Sequence, residues 1–225
     1  MLGCSTSRSS NIVSLGKTYG YDSLIGHSSE AYEQANRLGS NADVRYPNVA
    51  NYLDADDFDL ALYRENLTHG AVVEFFLQLT GNDEITLPLL YHADRYDISP
   101  LLAFSLAFTE SSFRPHAVNA NATSVDRGLL QLNSRSFPQL AEDDFFHPYT
   151  NTNYGMAHLR YCFNRADGDM ETAVAIYNAG EGRVLRGETP ASTLAYVEKM
   201  MDYRGNLERE FRSYIVSRYP SSSEE

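Results

Sequence analysis

Between Ser99 and Ser112 the chain reads Ser-Pro-Leu-Leu-Ala-Phe-Ser-Leu-Ala-Phe-Thr-Glu-Ser-Ser. Ser99 offers an N-cap oxygen and Pro100 the pre-set φ of a first helical residue, so a helix starts here. From Leu101 to Phe108 it is apolar nearly all round. A helix with no polar face is stable only inside a domain, with other elements covering every side. The rod must therefore lie buried in the middle of the domain. The chain's 225 residues, 43% hydrophobic, suffice for one packed core and a small extension.

The rod ends on a carboxylic acid, Glu110. Burial disfavours its ionised form, the negative end of the helix dipole does the same, and a second carboxylate nearby would add to both. All three raise its pKa, which is what a general acid working near neutral pH requires. On position alone, a solvent-facing helix end is an equal reading.

Along the rest of the chain, residues 1–20 are rich in Ser, Gly and Asn and read as a flexible tether. A short polar helix is expected over 28–40 and a loop over 41–56. A helical pattern runs from Asp56 to Leu79, with Phe58, Leu62, Val72, Phe75 and Phe76 on its apolar side and Gly70 as the point where it could divide. Asp54, Asp56, Asp57 and Asp59 read as its solvated start; they lack the register of a calcium loop. A second helix is expected over 83–96, with Pro88 in its first turn. Residues 114–135 lose helical periodicity and read as loop or small sheet. Helices resume at 150–166, 170–179, 190–203 and 206–218; Gly155 weakens the first of these. No internal repeat is visible.

Composition excludes several classes. A net charge of −12 argues against nucleic acid, which needs clustered Lys and Arg. No stretch is long and apolar enough to span a bilayer. The histidines, among them His69, His92, His116, His147 and His158, show no metal-ligand spacing, so no metal and no cofactor is expected. No nucleophile-elbow or phosphate-binding glycine motif occurs.

The segment after the rod reads Glu110-Ser111-Ser112-Phe113-Arg114-Pro115-His116-Ala117, followed by Gly128-Leu129-Leu130-Gln131, then Ile176-Tyr177-Asn178-Ala179-Gly180, then Tyr196-Val197. In order and spacing these four blocks resemble family 1 lytic transglycosylases, over about residues 85–203. The resemblance implies a lysozyme-like fold: mainly α, with a small β or loop region around 120–133 and an N-terminal helical extension. It implies cleavage of the bond between N-acetylmuramic acid and N-acetylglucosamine in peptidoglycan, with Glu110 as acid, then base, and a 1,6-anhydromuramic product. It also implies supporting or substrate-binding roles for Ser111, Gly128, Gln131, Asn133, Tyr177, Asn178 and Tyr196. Phe113 reads as core.

One departure matters. Many members have Gly-Ala before Gly-Leu, where this chain has Val125-Asp126-Arg127. The Asp form is similar to the subgroup attached to secretion and conjugation machines, implying an envelope-assembly partner. It is similar also to animal lysozymes, where the matching Asp is a second catalytic carboxylate. Asp126 thus opens an alternative, a hydrolytic muramidase using Glu110 and Asp126. A turn-forming Asp before Gly128 is the plainer reading. A third possibility is a non-catalytic wall-binding scaffold.

Gly3-Cys4-Ser5 resembles the processed end of a bacterial lipoprotein signal. It implies lipidation at Cys4, membrane anchoring and a periplasmic, outer-membrane location; Cys162 would then be a small unpaired core residue, with a Cys4–Cys162 disulfide the weaker alternative. The expected organisation is a tether over 1–20, a helical extension over 21–82, a catalytic domain over 83–205, and a C-terminal helix and tail over 206–225.

Overall fold

The computed structural model describes residues 47–220; the expected tether, Cys4 and the helix over 28–40 lie outside them. The described chain divides into two compact units, 47–78 with 215–220, and 79–214.

In the first unit, α1 (Pro47–Leu53) and α2 (Phe58–Arg64) precede α3 (Asn66–Thr80). The helical pattern after Asp56 divides at Glu65, whose backbone is extended, and not at Gly70. The break is chemically satisfied: Thr68 Oγ1 donates to Leu62 O at 2.6 Å, and His69 Nδ1 lies 2.6 Å from Tyr63 O, so side chains meet the carbonyls that the helix end leaves open. Asp59 is buried, a correction to the solvated helix start expected there.

The second unit is organised by the buried rod. Asn82 caps α4 (Asp83–Arg95) by accepting from Glu84 N at 2.9 Å. Pro88 stands inside this helix, beyond the first turn that the sequence suggested. Ser99 accepts from Leu102 N, Pro100 follows, and α5 runs Pro100–Ser111. Its residues 100–107 are all buried, as an all-apolar helix demands. After it come three short antiparallel strands in the order β1 (Val118–Ala120), β2 (Val125–Arg127), β3 (Leu132–Asn133). In their register Asn119 faces Asp126, and Asp126 faces Asn133. The 3-10 turn Asp143–Phe146 leads into α6 (Pro148–Arg165), which packs on α4 and on α7 (Met170–Ala179). A short helix, α8 (Glu181–Leu185), had no counterpart in the sequence reading. The last helix, α9, is continuous over Ala191–Arg218, where two helices were expected. Gly205 does not interrupt it: Arg204 pairs with Glu208 one turn away across the anticipated break, and Arg212 pairs with the same Glu208 from the next turn.

Two packing details hold the small sheet against α6. Gly155 admits Leu130 so closely that a Cβ there would lie 2.3 Å from Leu130 Cδ1. Buried Asn151 accepts from Leu130 N at 2.8 Å and donates to Phe145 O at 2.8 Å and Arg127 O at 3.2 Å. Cys162 is a free, fully buried thiol among Ala166, Ala173 and Ile176, and burial pushes it up to about 12.

Candidate active site

The second unit carries a cleft of about 1010 Å³ between the end of α5, the small sheet, α6, α7 and the start of α9. Seven of the residues singled out in the sequence line it: Glu110, Asp126, Gln131, Asn133, Tyr177, Asn178 and Tyr196.

Glu110 arrives here because α5 stops immediately behind it. Ser112 closes the helix in the left-handed region at φ 53°, and Phe113 follows at φ 59°. Two such non-glycine residues in succession are strained. They are held by Phe113, which packs against Phe104 and Phe108 at centroid distances of 6.2 and 5.7 Å. Tyr196 Oη donates to Glu110 Oε1 at 2.6 Å. Burial raises the Glu110 pKa, the Tyr196 hydroxyl pulls against it, and the Asp126 charge adds to the rise; the balance is about 7 against an ordinary 4.5. At neutral pH the group is therefore split between acid and carboxylate.

Asp126 stands on the central strand among asparagines. Asn133 Nδ2 donates to its Oδ1 at 2.7 Å, while Asn121 and Asn119 donate to its Oδ2 at 2.8 and 3.4 Å. The strand register delivers these amides, since Asn119 and Asn133 are its cross-strand neighbours.

Gln131 uses both amide protons on the backbone, donating to Gly128 O at 2.9 Å and Ala117 O at 3.1 Å. Tyr177 Oη donates to Leu130 O at 3.0 Å, and its ring leans on His158 at 5.0 Å. Burial, then the Glu110 charge, pushes the Tyr177 hydroxyl well above its usual range, so it stays a neutral donor. Asn178 accepts from Thr193 Oγ1 at 2.8 Å, which leaves its amide protons to the cleft.

Two expected site residues are not part of the cleft lining. Ser111 is buried, and its hydroxyl bonds to Ala107 O at 3.2 Å and accepts from Arg114 N at 3.1 Å, so it caps its own helix end instead of meeting Glu110 or a sugar. Gly128, at φ +81°, makes room for protein: a Cβ would fall 1.9 Å from Phe145 O and 2.3 Å from Asn151 Nδ2. Sequence reasoning missed Asn119, Asn121, Arg114, His116, Phe137 and His158, all of which line the cleft. The asparagines carried a signal: Asn119 and Asn121, two apart before a strand containing Asp126, fall on one face. His158 carried little, because a lone histidine on a helix gives no sign of which way it turns. Its ring meets Phe137 edge-on at 5.8 Å, and burial lowers its pKa.

The family described as the transglycosylase SLT domain matches residues 89–198. Among solved structures, an inactive mutant of the lytic transglycosylase Slt from Pseudomonas aeruginosa is similar to this chain at 18% identity with a TM-score of 0.49. The match covers 72% of this chain and 32% of that one, so this chain spans about a third of that protein's length.

Proposed function

Residues 89–198 of this chain are a transglycosylase SLT domain, of the lytic transglycosylase family, and from that premise we propose that it cleaves peptidoglycan glycan strands without consuming water. Glu110 in its acid form protonates the oxygen between N-acetylmuramic acid and N-acetylglucosamine. As the bond breaks, positive charge grows on the muramic ring, and the Asp126 carboxylate in the same cleft stabilises it. Glu110, now a carboxylate, takes the proton of the C6 hydroxyl of that same sugar. The C6 oxygen closes on C1, giving the 1,6-anhydro end. A single group serves as acid and base because its pKa of about 7 leaves both forms accessible at neutral pH. Tyr196 holds one carboxyl oxygen at 2.6 Å and leaves the other for the substrate.

The observation that carries this reading is the contrast between the two carboxyl groups. Glu110 is held near neutrality by burial. Asp126 has both oxygens occupied by three amide donors, which spread its charge and suit it to electrostatic stabilisation more than to attack on carbon. The muramidase alternative rests on the same residue, since a second carboxylate in the cleft is what a hydrolase needs.

Mass spectrometry of sacculi digested by the purified protein separates the two. Anhydromuramic ends with no water added are the expected product, absent with Glu110→Gln. Reducing ends with one water added would replace this reading by hydrolysis. No release above the Glu110→Gln background would leave only a wall-binding scaffold.

A further inference from the structure

Among the described residues lining the cleft, Arg114 carries the only guanidinium or ammonium group. It does not serve either carboxylate. Asp126 is satisfied by asparagine amides. Glu110 takes its side-chain hydrogen bond from Tyr196. Several other arginines of the same unit pair with carboxylates, Arg127 with Glu142, Arg160 with Asp97 and Arg165 with Glu181, but none of these three lines the cleft. In a chain of net charge −12, an arginine in a cleft without a carboxylate partner among the described residues is a chemical vacancy.

The group is also held in place. The strained turn at Ser112 and Phe113 sets its backbone. Its N–H donates to Ser111 Oγ at 3.1 Å, and its Nε to Ser111 O at 2.8 Å. Nε is thereby used up, while the two terminal nitrogens remain for a ligand. That is the fork with which arginine grips a carboxylate.

We propose that Arg114 is a specificity-determining residue that binds a carboxylate carried on the lactyl substituent of muramic acid. The inference rests on the peptidoglycan reading above. N-acetylglucosamine is neutral, so the anion must come from the muramic side. In strands stripped of peptide it is the lactyl carboxylate itself; in intact strands it is a carboxylate of the stem peptide.

The test uses the full chain in a Glu110→Gln background and measures binding of three glycan fragments: peptide-bearing, peptide-bearing with every carboxylate amidated, and peptide-stripped. The protein with Arg114 intact binds at least one carboxylate-bearing fragment about tenfold more tightly than the amidated one. Adding Arg114→Gln brings that ratio to about one, and Arg114→Lys restores part of it. Preference for the peptide-bearing fragment identifies the stem peptide as the source, and preference for the stripped fragment identifies the lactyl group. Equal affinity for all three fragments with Arg114 intact overturns the proposal, as does a ratio unchanged by Arg114→Gln in a variant that melts like its parent. Because binding is read without turnover, failure of the transglycosylase reading shows separately, as absence of anhydro product from the protein with Glu110 intact.

Discussion

At the scale of single residues, the chemistry reduces to how three neighbours tune one carboxyl group. Burial and the Asp126 charge raise the Glu110 pKa and the Tyr196 hydroxyl lowers it, with about 7 as the result. The bond-cleaving step needs the acid form, so kcat/KM is expected to fall as pH rises through about 7. Tyr196→Phe removes a donor that favours the carboxylate, and should move this limb to higher pH. Asp126→Asn removes a charge that opposes the carboxylate, and should move it to lower pH. Initial rates across pH 5–9 measure both shifts; limbs that move together, or not at all, would show that another group controls the acid. Position at the end of the buried rod, together with the Glu110–Ala117 block that follows, marked Glu110 in the sequence. The donor from Tyr196 comes from 86 residues away, and no local pattern announces it.

At the scale of elements, the rod and its cap were legible because Ser99, Pro100 and eight near-continuous apolar residues allow one interpretation. The α6 helix was legible in extent but not in purpose. Asn151 would be read as solvent-facing in any helical pattern, yet it is buried and ties the loop before β3 to the helix. Gly155, which looked like a helix weakness, is the groove for Leu130. In a solvated helix Gly→Ala stabilises by about 1 kcal/mol. Here the added methyl drives into Leu130, whose N–H is held by Asn151 and whose carbonyl holds Tyr177. Gly155→Ala is therefore expected to destabilise by about 1–3 kcal/mol in urea unfolding. A gain in stability would mean that Leu130 moves aside freely.

At the scale of the molecule, two buried titratable groups pull stability in opposite directions over nearly the same pH range. Glu110 is raised from 4.5 to about 7, so the fold holds its proton more tightly than the open chain does. Its contribution is largest below 4.5 and declines as pH rises to 7. His92 is fully buried and lowered from 6.5 to about 4. His92 Nδ1 lies 2.8 Å from the hydroxyl of buried Thr152. His92 Nε2 is buried with no partner among the described residues, and protonating it would bury a bare N–H. The His92 contribution is present above 6.5 and lost as pH falls towards 4. Together the two nearly cancel between about pH 4.5 and 6.5. Glu110→Gln removes one side of the balance. It should stabilise the protein at pH 8 by on the order of 3 kcal/mol. It should also lose stability on acidification from 6.5 to 4 more steeply than wild type. Denaturant midpoints at pH 4, 6 and 8 test this; parallel curves for the two proteins would refute the Glu110 assignment.

What the amino-acid order settled by itself is the presence of an obligatorily buried helix, its start, and the acid at its end. Those follow from period, capping and polarity, which act within a few residues. It also arranged four blocks, from Glu110 to Tyr196, in the spacing of one enzyme family. Only the tertiary structure decided which of those residues reach the cleft. Ser111 and Gly128 sit beside it in sequence yet turn to protein, while Arg114, Asn121 and His158 turn towards it. Whether a side chain meets solvent, substrate or another helix depends on segments tens of residues away closing within a few ångströms. The same closure sets the dielectric around Glu110 and so whether it is an acid at all.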